Sequence, residues 1–156
     1  MVKTNAMRLL DKAGIDYSVK EYAFDEDDLD GRHAAEGVGM PYEQVFKTLV
    51  TRGAKGGYFV FCIPVDKELN LKKAASAAKE KSIEMIHVKE LLPLTGYIRG
   101  GCSPVGMKKS FPTFVDETAV LFDIIAVSGG ARGVQIVLPP DKLIEYTGAE
   151  YADITF

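Results

Sequence analysis

The sequence predicts an α+β fold: a curved, partly barrel-like mixed sheet of about seven strands flanked by short helices. Three observations predict it. About seven short runs show strand-like alternation or continuous apolarity, and four or five stretches carry apolar residues at helical spacing. The connections are mixed, with hairpins in two places and helical crossovers elsewhere. No internal repeat, low-complexity linker or composition shift divides the chain, so residues 1–156 read as a single domain.

The elements follow in order. Thr4 is a helix cap, Ala6, Met7, Leu9, Leu10 and Ala13 form an apolar stripe, and Gly14 ends the helix. Ile15, Tyr17 and Val19 alternate as a half-buried strand, and Tyr22 follows. Ala34, Ala35 and Val38 suit a short helix stopped by Gly39, and Pro41 opens another helical turn. Residues 45–51 (VFKTLVT) read as a strand, and a Gly53–Gly57 turn joins it to the strand Tyr58–Ile63. Asn70 caps a helix from Leu71 to Lys79 with Leu71, Ala74, Ala75 and Ala78 inward. Ile83–Val88 reads as a strand, and Leu91 and Leu92 belong to a brief helix. Tyr97–Arg99 reads as a short strand, Pro112–Asp116 as another. Ala119–Phe122 is a helical turn, Asp123–Val127 a buried strand, and Val134–Leu138 a further one. Pro140 opens the last helix, Gly148 ends it, and the tail Tyr151–Phe156 adds a strand.

Composition excludes several functions. A formal net charge of −3 argues against a general nucleic-acid binder, while a protein gripping one end of an RNA remains compatible with it. No run is long enough for a membrane span, and the N-terminal stretch is amphipathic without a signal-peptide core; both predict a cytoplasmic protein. Cys62 and Cys102 lie far apart and suggest neither a disulfide framework nor, with the two histidines, a zinc site. Asp25–Asp30 resembles a calcium loop, but position 1 is Glu26 and position 12 is Gly37, so a solvated loop is the better reading. His33 and His87 have no catalytic or metal-ligating partner at a known spacing, which also weakens a Cys102–His dyad.

Chemistry concentrates in three places. Lys47 interrupts an apolar strand; it shares a face with Leu49, at the rim of a pocket or on an exposed surface. The stretch Thr95–Gly106, TGYIRGGCSPVG, holds four glycines. Its adjacent pair Gly100–Gly101 lets a ligand lie on backbone N–H groups, which bind phosphate or an acyl-transfer oxyanion; a plain turn is the alternative. A second glycine turn, SGGARG, runs from Ser128 through Gly129 to Gly133.

Together these elements resemble the YbaK family of aminoacyl-tRNA deacylases, the freestanding relatives of the editing domain inserted in bacterial prolyl-tRNA synthetases. The resemblance runs from Met7-Arg8-Leu9-Leu10 through Tyr22, QVFKTL, Leu71-Lys72-Lys73 and the two glycine loops to Tyr151-Ala152-Asp153-Ile154. The branch it looks most like clears Cys-tRNA(Pro). The resemblance implies a trans-acting enzyme that cleaves the ester joining a wrong amino acid to tRNA, by hydrolysis or by cyclisation through the substrate's own thiol. It implies Lys47, Gly100 and Gly101 as catalytic residues, and Tyr22, Ser128, Gly129 and Gln135 against the substrate, with no cofactor and no metal. It implies as partners the 3′ aminoacyl end of a mischarged tRNA and prolyl-tRNA synthetase. One departure stands out: the cysteine-specific branch carries an aspartate where this chain has the uncharged Gln135. The rival reading is a non-catalytic tRNA-end or synthetase-binding module that regulates translation. A weaker one is a hydrolase of another small ester or nucleotide.

Overall fold

A computed structural model describes residues 3–156; Met1 and Val2, which begin the amphipathic N-terminal stretch, lie outside the described residues. The order is α1 (Asn5–Lys12), β1 (Ser18–Glu21), α2 (Gly31–Val38), β2 (Phe46–Gly53), β3 (Tyr58–Pro64), α3 (Leu71–Ala78), β4 (Ile83–Met85), α4 (Val88–Thr95), β5 (Thr113–Asp116), β6 (Ile125–Ser128), β7 (Val134–Leu138), α5 (Pro140–Thr147) and β8 (Glu150–Ala152). The α+β class holds. In place of one sheet of about seven strands, the described residues form two sheets, ordered β1-β7-β6 and β4-β2-β3-β5-β8, and no ladder closes either into a barrel. The larger sheet is mixed: β2 pairs antiparallel with β3 and β4, while β5 runs parallel to β3 and β8. A single parallel bridge between Val45 and Ala126 links the two sheets.

Burial explains why the sheets stay together. The largest core cluster joins Phe46, Cys62 and Val115 of one sheet to Ile125, Val127, Ile136 and Leu138 of the other, with Met7 and Leu10 of α1 covering them. Phe46 is 2% exposed and Ile136 fully buried, so each contributes about 1.5–3 kcal/mol of hydrophobic stabilisation. Phe61, Ile63, Phe114 and Ala74 form a second cluster under α3.

Several local expectations change. Tyr97–Arg99 is not a strand: Gly96, at φ 84, ends α4, and the buried Tyr97 donates its hydroxyl hydrogen to the Val105 carbonyl, 2.5 Å away, instead of pairing. The strand expected to reach Val88 stops at Met85, because Glu90 accepts the His87 N–H at 2.8 Å and makes His87 the cap of α4. Helix α2 starts at Gly31, earlier than its alanines suggest, because the Asp30 carboxylate accepts the Arg32 N–H at 2.9 Å. Leu71 is exposed, so α3 faces inward through Ala74 and Ala75. The tail strand ends at Ala152; beyond it the buried Asp116 carboxylate accepts the Ile154 N–H, and Thr155 bridges to Leu69.

Candidate active site

A cleft of about 550 Å³ opens where the two sheets meet. The middle of β2 forms its floor through Lys47, Thr48 and Leu49, and the start of α2 one wall through Asp30, Gly31 and Ala34. The β4–α4 junction, the Arg99–Cys102 loop, and Ser128 and Gln135 of β6 and β7 complete it. Of the seven residues expected from sequence, Tyr22, Lys47, Gly100, Ser128 and Gln135 line this one cleft, although they are scattered over more than a hundred positions. Gly101 and Gly129 are not among the residues that line it.

The strand pleat explains Lys47. Phe46 is buried in the main core, and the next residue, Lys47, is half-buried on the cleft side. Among the described residues the Lys47 ammonium makes no hydrogen bond or ion pair. The Asp30 carboxyl lies below its usual range, first because Arg32 hydrogen-bonds it and to a smaller degree because Lys47 is near. Asp30 is therefore anchored to Arg32, at 2.8 Å, and leaves the lysine charge available to a ligand.

Tyr22 is fixed from two sides. Its N–H donates to the Gly133 carbonyl at 3.0 Å, and its ring meets the His33 ring edge-on at 6.4 Å. Ser128 and Gln135 sit directly opposite one another across β6 and β7. The Ser128 hydroxyl accepts the Gly130 N–H at 3.2 Å. Gln135 is 5% exposed, and its Oε1 is buried without a hydrogen-bond partner among the described residues. An orphaned buried acceptor costs about 1–3 kcal/mol, and a ligand N–H could relieve it.

The glycine pair divides into two roles. Gly100 has φ +85, a left-handed conformation that disfavours side chains, and lies against Leu29 at the cleft. Its N–H makes no hydrogen bond among the described residues. The Gly101 N–H instead closes a turn by donating to the Ile98 carbonyl at 3.0 Å, so it is not available as an oxyanion donor. A Cβ at Gly101 would stand 3.1 Å from the Ala131 and Arg132 backbone, so its missing side chain lets the two glycine loops pack together. Gly129 is likewise structural, its N–H donating to the Val134 carbonyl at 2.9 Å.

Cys102 lines the cleft, but burial first, and the neighbouring Cys62 second, push its thiol up to about 12. Cys62 is pushed to about 12 by burial alone. Neither thiol is an ionised nucleophile near neutral pH. Sequence reasoning missed Arg99 and Asp30 as lining residues. Arg99 had one usable signal, its place immediately before the glycine pair; Asp30 was absorbed into the acidic run.

Residues 30–146 match the family described as an aminoacyl-tRNA editing domain. A relative from Enterococcus faecalis, which carries the provisional name Cys-tRNA(Pro)/Cys-tRNA(Cys) deacylase EbsC, is 48% identical over 153 residues, 98% of this chain and 93% of that protein. A proline–tRNA ligase of Fervidobacterium nodosum is 32% identical over 74 residues, 47% of this chain and 13% of the ligase. The solved structure of a provisional trans-editing enzyme for prolyl-tRNA synthetase superposes with a TM-score of 0.85 at 26% identity, covering 99% of both chains.

Proposed function

The chain belongs to the aminoacyl-tRNA editing domain family, and from that membership we propose that it is a trans-acting deacylase that removes cysteine from mischarged tRNA(Pro). One observation carries the reading. A single cleft holds a lysine ammonium, a glycine N–H and a buried amide acceptor, none with a partner among the described residues, and its own cysteine is held neutral. Such a site binds and polarises an aminoacyl ester, and the thiol it holds is not ionised near neutral pH.

The nucleophile then comes from the substrate. A cysteinyl thiol has a pKa near ~8.5, so a few per cent is thiolate at pH 7, and orientation makes its attack intramolecular. The sulfur bonds to the cysteinyl carbonyl carbon, the ester C–O bond breaks, and the proton lost from sulfur ends on the ribose oxygen. The released thiolactone is afterwards hydrolysed by water. Gly100 N–H stabilises the oxyanion, and Gly101 holds the loop that presents it. Lys47 faces the anionic nucleotide end. Gln135 Oε1 receives the substrate ammonium between Ser128 and Tyr22, an uncharged acceptor in place of the branch's aspartate. Gly129 shapes the turn behind Ser128. The partner that supplies discrimination among tRNAs is prolyl-tRNA synthetase.

Incubation with Cys-tRNA(Pro), with the sulfur product identified, tests the reading. We expect deacylation with thiolactone or its hydrolysis product, cysteine. Binding of the aminoacyl end without turnover would instead favour a non-catalytic module. Lys47→Ala should fold and lose about tenfold to a hundredfold in kcat/KM, the size of a lost charge-assisted contact. A folded variant with wild-type rates would remove Lys47 from the site.

A further inference from the structure

We infer that Arg99 and Arg132 form a phosphodiester subsite at the rim of the cleft, holding the backbone of the terminal nucleotides while the ester enters. The inference rests on the deacylase reading above and adds to it the elements that orient the RNA.

Each arginine stands in one of the two glycine loops. Arg99 immediately precedes Gly100, lines the cleft and is exposed. Arg132 is half-buried, and its Nε donates to the Arg99 carbonyl at 2.9 Å. A Cβ on Gly101 would stand 3.1 Å from the Ala131 and Arg132 backbone, so the missing side chain is what lets the two loops approach this way. The Arg132 guanidinium is thus held against the Arg99 backbone, one loop on the other. Ion pairs form elsewhere among the described residues, and neither guanidinium belongs to any of them. The other arginines named in these pairs show the contrast: Arg32 binds Asp30, and Arg52 binds Glu90. In a chain with 22 acidic and 19 basic residues, two adjacent cations without a carboxylate form a place for an anion from outside.

The anion that the deacylase reading brings to this rim is a phosphate. A guanidinium presents a planar fork of donors matched to phosphate oxygens, and the Arg132 Nη groups make no hydrogen bond among the described residues. The spacing also fits. The ester carbonyl and the 5′-phosphate of the terminal nucleotide are one ribose apart. Gly100 and Arg99 are adjacent residues, about 3.8 Å between Cα atoms. A carbonyl at Gly100 therefore leaves its own phosphate within reach of the Arg99 side chain.

The test compares two substrates: Cys-tRNA(Pro), and cysteinyl adenosine, which carries the same ester and no phosphate. Arg99→Gln should raise KM for the tRNA about tenfold or more, leave kcat within about twofold, and leave the nucleoside ester unaffected. Arg99→Lys should restore part of the loss. The slope of log affinity against log salt should fall by about 0.7 per arginine removed. An equal effect on both substrates, or none on either, would overturn the subsite. Should the wild-type protein cleave neither substrate, the deacylase reading fails. Binding of a short oligonucleotide ending in CCA then decides the subsite separately: weaker binding by Arg99→Gln supports it, and unchanged binding overturns it.

Discussion

At the scale of single residues, the cleft separates two thiols by their acidity. Burial holds Cys102 near 12, so on the proposed mechanism it is not the reacting sulfur, and Cys102→Ala should keep turnover of Cys-tRNA(Pro) within a few-fold of wild type. The rate, corrected for uncatalysed ester hydrolysis, should rise with unit slope and level near the substrate thiol's value of ~8.5. A profile still climbing well above pH 9, or an acyl group trapped on Cys102, would assign the reaction to the enzyme's sulfur. Gln135 offers a different test. Its Oε1 is buried without a partner among the described residues, so Gln135→Met should raise Tm by about 2–4 °C per kcal/mol recovered, while raising KM. A fall in Tm would mean that the amide is satisfied after all. Lys47 was legible in the sequence because a charge in an apolar strand demands a reason. The empty acceptor on Gln135 was not, because satisfaction depends on neighbours that only folding supplies.

Among the elements, the two glycine loops act as one unit. Gly101→Ala pushes a Cβ onto backbone atoms that cannot move aside, and should destabilise the protein more than Gly100→Ala. Gly100→Ala meets only the flexible Leu29 side chain, at 2.9 Å, but bears the cost of a left-handed residue, about 1–2 kcal/mol, and crowds the cleft. Thermal melts beside activity assays separate the two, and a Gly101→Ala protein as stable as wild type would show that the loops do not depend on that contact. In the sequence the pair is conspicuous and its two members look alike. Their difference lies in which N–H closes the turn to Ile98. The start of α4 was hidden for a similar reason. Ile86, His87 and Val88 prolong an apolar run, and the boundary comes from Glu90 reaching back to a cap that is none of the usual small polar residues.

Over the whole molecule, charge limits what the isolated protein can do. With a net charge of −3 and lysines only in small groups such as Lys72/Lys73 and Lys108/Lys109, it should bind tRNA weakly and without preference for tRNA(Pro). Tight, tRNA(Pro)-selective binding at physiological salt, measured without a synthetase, would contradict this. The class of fold was readable because each strand and helix carries its own pattern. The division into two sheets was not, because pairing is a relation between distant segments: Ser18 lies opposite Val137, and β5 takes its partners from β3 and β8. The cleft belongs to that division, so five of its residues could be named from sequence while its walls could not.

The buried Cys102 has a consequence for the enzyme's own survival. On the proposed mechanism the product is a strained thiolactone, an acylating agent, and the first molecule it would meet is the wall of the pocket in which it forms. A cysteine of ordinary acidity there would be modified within repeated cycles, and the catalyst would poison itself. At a value near 12 only about one thiol in a hundred thousand is ionised at pH 7, so the sulfur in that wall is chemically silent toward the product.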